Sequence, residues 1–109
     1  MTRRGQFVTV VLAGDYGKPR PALVVQSDLF ALHPSVVVCL LTSDLQSGVQ
    51  DFRIDVLPTE HNGLRRQSQI AVDKIGAVRA DKVGAVIGHA DAQLMALVTR
   101  AMALFLNIT

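Results

Sequence analysis

The stretch Gly17-Lys18-Pro19-Arg20-Pro21-Ala22-Leu23-Val24-Val25-Gln26-Ser27-Asp28 joins a loop rich in glycine and proline to a short apolar strand. Pro19 and Pro21 flank Arg20, and each proline fixes its own φ at about −65°. Pro21 also pushes Arg20 toward extended backbone. A planar, permanently charged guanidinium is therefore held at the mouth of a strand, which suits a phosphate or a carboxylate. A solvated surface arginine is the alternative that these residues leave open.

Further short segments rich in β-branched residues predict strands on either side of this stretch. They are Gln6–Ala13, Pro21–Gln26, Val36–Thr42, Phe52–Val56, Ser68–Val72, Lys74–Val78 and Gly84–Gly88. The segments 68–72 and 74–78 predict either two short strands or one bent strand. One helical turn is expected in the connection 27–34.

The spacing of apolar residues becomes helical after Asp91, which is the expected N-cap of a helix. One apolar face comprises Leu94, Leu97, Val98, Ala101, Leu104, Phe105 and Ile108. A second stripe comprises Met95, Met102 and Leu106. This second stripe indicates either a broadly buried helix or a face that meets a second copy of the chain, and we expect a homodimer.

Many short strands followed by one helix predict a mainly β fold with a C-terminal α-helix, built as a small, strongly bent antiparallel sheet or open barrel. The 109 residues fit one domain, 1–109, with the barrel over about 5–88 and the helix over about 91–107. Apolar runs are too short for a membrane-spanning helix, and no signal peptide is recognised. The lone Cys39 is expected to be a buried, inert thiol in a protein of the reducing cytoplasm.

The composition restricts the chemistry available. A net charge of +2 is too small to predict nucleic-acid binding by itself. His33, His61 and His89 are far apart in the sequence and no two of them have the spacing of metal ligands on one helix. We therefore expect no metal site and no cofactor.

The order of the motifs resembles the MazF/PemK family of toxin endoribonucleases. Arg20 running into PALVVQSD after the strand RRGQFVTVVL, then Leu41-Thr42-Ser43, then GLRRQSQIAVDKIGAVRADKVG follow the family order at compatible spacing over nearly the whole chain. The resemblance implies an SH3-like barrel and the toxin of a type II toxin–antitoxin pair. It also implies metal-independent cleavage of single-stranded mRNA within a short sequence, leaving a 2′,3′-cyclic phosphate and a 5′-OH. The implied partner is an antitoxin with a disordered acidic and apolar tail.

The resemblance also implies roles for individual residues. Arg20 and Thr42 match the catalytic pair of the family, and Asp73 matches an acidic position that is proposed as the base in some members. Without the family, Thr42 and Ser43 predict a local turn hydrogen bond, and Asp73 predicts a salt bridge with Lys74 or Arg79. The residues expected to bind RNA are Lys18, Ser43, His61, Arg65, Arg66, Tyr16 and Phe52.

Three departures from the family pattern bear on activity: Gln6 replaces an acidic residue, Gly76 replaces an arginine, and the loop 14–18 is short. Two rival functions follow from the same fold. One is a CcdB-like, non-enzymatic poison of DNA gyrase, although those proteins act through a tryptophan and this chain has none. Arg20 and Thr42 would also be idle in such a poison. The other rival is a degenerate, inactive member of the family that serves as a protein-interaction module.

Overall fold

A computed structural model describes residues 2–108. Its elements are β1 (Gln6–Val11), β2 (Pro19–Val24), β3 (Ser35–Thr42), β4 (Arg53–Val56), β5 (Ser68–Arg79), β6 (Val83–His89) and α1 (Ala92–Leu106). The strands form one antiparallel sheet in the order β4-β5-β3-β2-β1-β6. This confirms the predicted fold class, a mainly β sheet with a C-terminal helix. The helical turn expected in 27–34 is a 3-10 turn at Asp28–Phe30.

The strand β5 is continuous, which decides between the two alternatives for 68–78 in favour of one bent strand. Cys39 of β3 lies opposite Ile75, whereas the next residue, Leu40, lies opposite Ala71. The three residues 72–74 of β5 have no paired residue in β3 and form a bulge. A bulge bends the strand and redirects its side chains. Asp73 lies at the centre of this bulge.

The sheet buries both of its faces, because alternate residues of each strand point to opposite sides. On one side Phe7, Leu23 and Ile70 pack against Val98 and Ala101 of α1. On the other side a second cluster comprises Val8, Val10, Ala22, Val24, Val36 and Val38. We refer to these sides as the helix face and the open face.

The Cys39 thiol lies wholly inside the helix-face core. Burial raises the pKa of this thiol to about 11. The group is therefore protonated at neutral pH and shielded from reagents, as expected for an inert thiol.

The helix α1 begins as predicted, since the Asp91 carboxylate accepts a hydrogen bond from the Leu94 N–H at 2.8 Å. Its buried face differs from the prediction. Val98 and Ala101 are buried and Met95 packs beside them, whereas Leu97 and Leu104 are exposed. In the second stripe Met95 and Met102 pack against this core, whereas Leu106 is exposed, and the predicted apolar face is also only partly buried. Among residues 2–108, no helix is long and apolar enough to span a membrane.

Two glycines join the opposite edges of the sheet. The loop after β4 crosses to β6, where the His89 N–H donates to the His61 carbonyl at 2.8 Å. Gly63 has φ +69°, and a Cβ on it would lie 1.7 Å from the Ile87 carbonyl oxygen. A Cβ on Gly88 would lie 2.2 Å from the Asn62 carbonyl oxygen. Only glycine permits this backbone contact, which closes the sheet into a barrel.

We expect Gly63→Ala to lower the free energy of unfolding by at least about 3 kcal/mol, because a left-handed backbone and a backbone overlap both become unfavourable. Gly14→Ala is the matched control: its φ is +86°, but nothing lies within 4 Å of the added Cβ. This control should lose only about 1–2 kcal/mol. Urea unfolding of both variants checks the prediction, and equal losses would contradict it.

Candidate active site

Strand register brings Arg20 and Thr42 to one place. In the ladder between β2 and β3, Ala22 lies opposite Leu40 and Leu23 lies opposite Cys39. Continuing this register to the start of β2 places Arg20 opposite Thr42, one strand spacing of about 4.8 Å away. Both residues belong to the open face, because they alternate with the residues that face the helix. The two residues matched to the catalytic pair are therefore neighbours at one end of the sheet.

The Arg20 guanidinium is oriented by a carboxylate that the sequence did not identify. Its Nε donates to Asp15 Oδ2 at 2.9 Å, and its Nη2 lies 3.4 Å from Asp15 Oδ1. About half of the Arg20 side chain remains exposed. Asp15 lies in the loop between β1 and β2, so this ion pair fixes the loop beside the guanidinium. Arg20 is thus positioned and still accessible to an anion.

Thr42 makes the local hydrogen bond expected of a strand-end threonine. Its Oγ1 accepts from the Asp44 N–H at 3.0 Å. Because the oxygen accepts in this bond, its own hydrogen remains available for donation. The local role and a role toward a phosphate oxygen are therefore compatible.

Thr42 is the first of a row of polar residues that crosses the sheet from β3 to β4. It lies opposite Gln69 of β5, and Gln69 lies opposite Asp55 of β4. The Gln69 amide nitrogen donates to the Gln46 carbonyl at 2.7 Å and to Asp55 Oδ1 at 2.9 Å. Its amide oxygen accepts from the Gln46 N–H at 3.1 Å. Gln69 thereby fixes the β3–β4 connection to the sheet, a role whose only sequence signal is a polar residue in an apolar strand.

The expected salt bridge of Asp73 with Lys74 or Arg79 is wrong; its partner is Arg53 of β4. Arg53 Nε and Nη2 donate to the two carboxylate oxygens at 2.6 and 3.0 Å. Arg53 is only 8% exposed. These hydrogen bonds lower the pKa of the Asp73 carboxyl, although its partial burial acts in the opposite direction. The carboxylate consequently has a reduced affinity for a proton.

Five of the expected RNA-binding residues lie near the Arg20–Thr42 end of the sheet. Tyr16 is fully exposed at φ +53° in the loop that Asp15 anchors, and Lys18 is exposed in the same loop. Arg65 and Arg66 are exposed and directly precede β5, whose second residue lies opposite Thr42. Ser43 follows Thr42 and is also exposed.

Two expected RNA-binding residues lie elsewhere. The Phe52 ring packs on the helix face, 6.0 Å from the ring of Phe105. His61 lies at β6, with its ring 5.8 Å from that of His89. These two histidines are far apart in the sequence, and the contact between the loop after β4 and β6 brings them together. Within residues 2–108, no group of three or more His, Cys, Asp or Glu side chains is placed to hold a metal ion.

Known proteins match both the sequence and the fold. Residues 3–106 match the family described as PemK-like, MazF-like toxins of type II toxin–antitoxin systems. A probable endoribonuclease MazF of Mycolicibacterium smegmatis is 36% identical over 108 residues, which are 97% of each chain. An endoribonuclease solved with its cognate antitoxin from a mycobacterial species has a TM-score of 0.81 at 21% identity, over 100% of this chain and 98% of that one. A MazE–MazF complex of Deinococcus radiodurans has a TM-score of 0.77 at 19% identity, over 99% and 97%.

A small, bent antiparallel sheet with a C-terminal helix is the fold that this chain shares with these solved structures. The chain belongs to the family of PemK-like, MazF-like toxins of type II toxin–antitoxin systems. This confirms the family resemblance and the predicted enzyme class, a MazF-type toxin endoribonuclease.

The Arg53–Asp73 pair predicts an acid-sensitive contribution to stability. Because the folded-state pKa of Asp73 is lowered, the contribution is present above the unfolded pKa of about 4 and disappears as the pH falls through the folded-state value. At pH 7, Asp73→Asn should cost about 1–3 kcal/mol, the range for hydrogen bonds to a charged group. The difference from the parent should shrink below about pH 4.

Urea unfolding of both proteins between pH 7 and pH 2.5 checks this expectation. Asp81→Asn is the control, because Asp81 pairs with Arg79 in the open, where both side chains are more than half exposed. This control should change stability little at any pH. A cost for Asp73→Asn that stays constant with pH would contradict the charge-based account.

Proposed function

We propose that this toxin cleaves single-stranded RNA without a metal ion, at the end of the sheet where Arg20 and Thr42 lie. The observation that carries the proposal is the register of β2 and β3, which makes these two residues neighbours on the open face. Arg20 is also half exposed and held by Asp15, so it can receive a phosphate without first being ordered. The exposed Lys18, Arg65 and Arg66 add positive charge around this end.

The proposed reaction is an attack of the ribose 2′-oxygen on the adjacent phosphorus. The new 2′-O–P bond forms as the P–O5′ bond breaks, which leaves a 2′,3′-cyclic phosphate and a 5′-OH. Negative charge develops on the phosphoryl oxygens, and fixed donors aimed at that charge lower the barrier. The Arg20 guanidinium and the Thr42 hydroxyl are suited to this task, because both hold hydrogens that can be donated.

We propose that Asp15, and not Asp73, accepts the proton of the ribose 2′-OH. Asp15 is the one carboxylate of residues 2–108 within ion-pair distance of Arg20. Asp73 is held by both of its oxygens to Arg53 of β4 and forms no ion pair with Arg20. Its proposed role is to position Arg53. Water supplies the proton that the 5′-oxygen takes up.

The two proposed donors can be tested by substitution. We expect Arg20→Ala and Thr42→Ala each to lower kcat about 100-fold or more, the usual cost of removing a donor to a developing oxyanion. The assay is cleavage of a long single-stranded RNA in excess EDTA, with the ends mapped. Arg79→Ala, which removes the same charge from an exposed position at the far end of the sheet, is the matched control and should cleave normally.

The rival functions give different outcomes in the same assay. Intact RNA at high concentrations of the parent protein would contradict the nuclease proposal and leave gyrase inhibition as the next assay. Cleavage by Arg20→Ala at the parent rate would contradict the proposed site. Cleavage that requires an added divalent ion would contradict the metal-free mechanism.

We propose that the chain is held in check in the cytoplasm by a cognate antitoxin whose disordered tail covers the Arg20–Thr42 end. Acidic side chains of such a tail complement Lys18, Arg65 and Arg66, and its apolar side chains can bury exposed Tyr16. Relatives of the same fold are known with their antitoxins. The test is RNA cleavage in the presence of the intact antitoxin and of a form without its tail. Equal inhibition by both forms would contradict the proposal.

We further propose a homodimer formed through the exposed stripe of α1. Leu97, Leu104 and Ile108 are each at least half exposed and repeat at helical spacing. Leu104→Glu should therefore shift the protein from dimer to monomer in sedimentation experiments without unfolding it. A parent protein that sediments as a monomer at high concentration would contradict this assembly.

A further inference from the structure

A cleft opens on the open face beside the proposed active site. It has a volume of about 310 Å³ and is lined by the β3–β4 connection, by β4 and by the start of β5. We call it the β4 cleft; its lining includes Leu45, Gln46, Gln50, Arg53, Asp55 and Gln67. The volume is at the lower end of that of small-molecule sites, which are roughly 300–1,000 Å³. None of these residues is among those matched above to the catalytic or RNA-binding positions of the family.

The polar groups of the β4 cleft are rigidly held. Gln69 forms its floor, is only 4% exposed and makes three hydrogen bonds, two to the Gln46 backbone and one to Asp55. Arg53 is fixed by its two hydrogen bonds to Asp73. Groups that are already ordered lose little entropy when a ligand binds. This distinguishes the cleft from a groove between mobile surface side chains.

One donor and one acceptor remain available in the cleft. Arg53 Nη1 makes no hydrogen bond within residues 2–108, and it reaches solvent, since the buried side-chain polar atoms of these residues all have partners. Asp55 uses Oδ1 toward Gln69, while its Oδ2 accepts no hydrogen bond from the described residues. The two residues are separated by one position on β4, so they share a face about 7 Å apart.

The cleft lies close to the proposed scissile phosphate. Asp55 belongs to the same row as Gln69 and Thr42, two strand spacings or about 10 Å from Thr42. An RNA strand that crosses the sheet from Arg20 toward β4 brings a base near the scissile phosphate into the cleft. The partly exposed Leu45 provides an apolar wall against which a base can lie.

We propose that the β4 cleft is a base-selecting subsite that takes guanine. The inference rests on the proposed RNA cleavage and deepens it by naming the substrate. Guanine alone among the four bases presents two adjacent N–H donors, N1–H and the N2 amino group. Asp55 Oδ2 can accept from one of them, and Oδ1, which accepts from Gln69, keeps a second lone pair for the other. Guanine also carries the O6 and N7 acceptors that arginine prefers. Uracil and cytosine place an acceptor beside their single donor group, which a carboxylate repels.

The substitution Asp55→Asn tests the subsite directly. The asparagine keeps the shape and the acceptor for Gln69 but replaces one acceptor of the cleft with a donor. On an RNA library randomised around the cut, we expect the parent to prefer guanine at one position, and Asp55→Asn to lose that preference about tenfold or more. Preferences at the other positions should remain. Asp51→Asn is the matched control: Asp51 is exposed in the same connection and does not line the cleft.

The outcomes separate this inference from the proposed function. Cleavage by the parent, with identical base preferences in Asp55→Asn, overturns the guanine subsite and leaves the nuclease proposal intact. If the parent does not cleave RNA, binding of short oligomers that differ in one base decides by fluorescence anisotropy. Guanine-dependent binding that Asp55→Asn abolishes supports the subsite alone, and binding without base preference overturns it.

Discussion

The closure of the barrel depends on a backbone contact that only glycine permits. Gly63 lies against Ile87 and Gly88 lies against Asn62, at distances that leave no room for a Cβ. The contact joins the loop after β4 to β6, which are at opposite edges of the sheet. It therefore restrains the chain that leaves β4, while β4 itself remains an edge strand of the sheet. The position of Arg53 and Asp55, the residues of β4 that line the cleft, therefore depends on this contact.

The two faces of the bent sheet have different roles. The helix face carries the larger core, which α1 covers through Val98 and Ala101. The open face carries a smaller apolar core and, toward the start of β2, the polar row that begins with Arg20 and Thr42. The proposed chemistry is thus confined to the ends of strands whose interior residues hold the fold together. Such a rigid base suits catalysis by positioned donors, which must not reorganise during the reaction.

The local features of this structure were predictable from the sequence, and the long-range pairings were not. Proline-flanked Arg20, the strand ending at Thr42 and the Asp91 N-cap each depend on neighbouring residues. The Arg53–Asp73 pair depends on a three-residue bulge in β5, which no local pattern specifies. Phe52 directly precedes Arg53, and neighbouring residues of an extended chain point to opposite faces. This alternation could have predicted that Phe52 lies on the helix face and not near the proposed RNA site. The resemblance to the family predicted the roles of Arg20 and Thr42. The register of β2 and β3 brings these two residues close together, as those roles require.

The proposed role of the Arg20–Thr42 end of the sheet is to promote attack by a ribose 2′-oxygen on the adjacent phosphorus. The most direct measurement uses an RNA with one mapped cleavage site, made once as the natural strand and once with a single 2′-deoxynucleotide on the 5′ side of the scissile phosphate. Both strands are incubated with the protein in EDTA. We expect the natural strand to be cut. The deoxy strand should stay intact while still competing with the natural strand for binding to the protein. Cleavage of the deoxy strand at the same bond would contradict the proposed role.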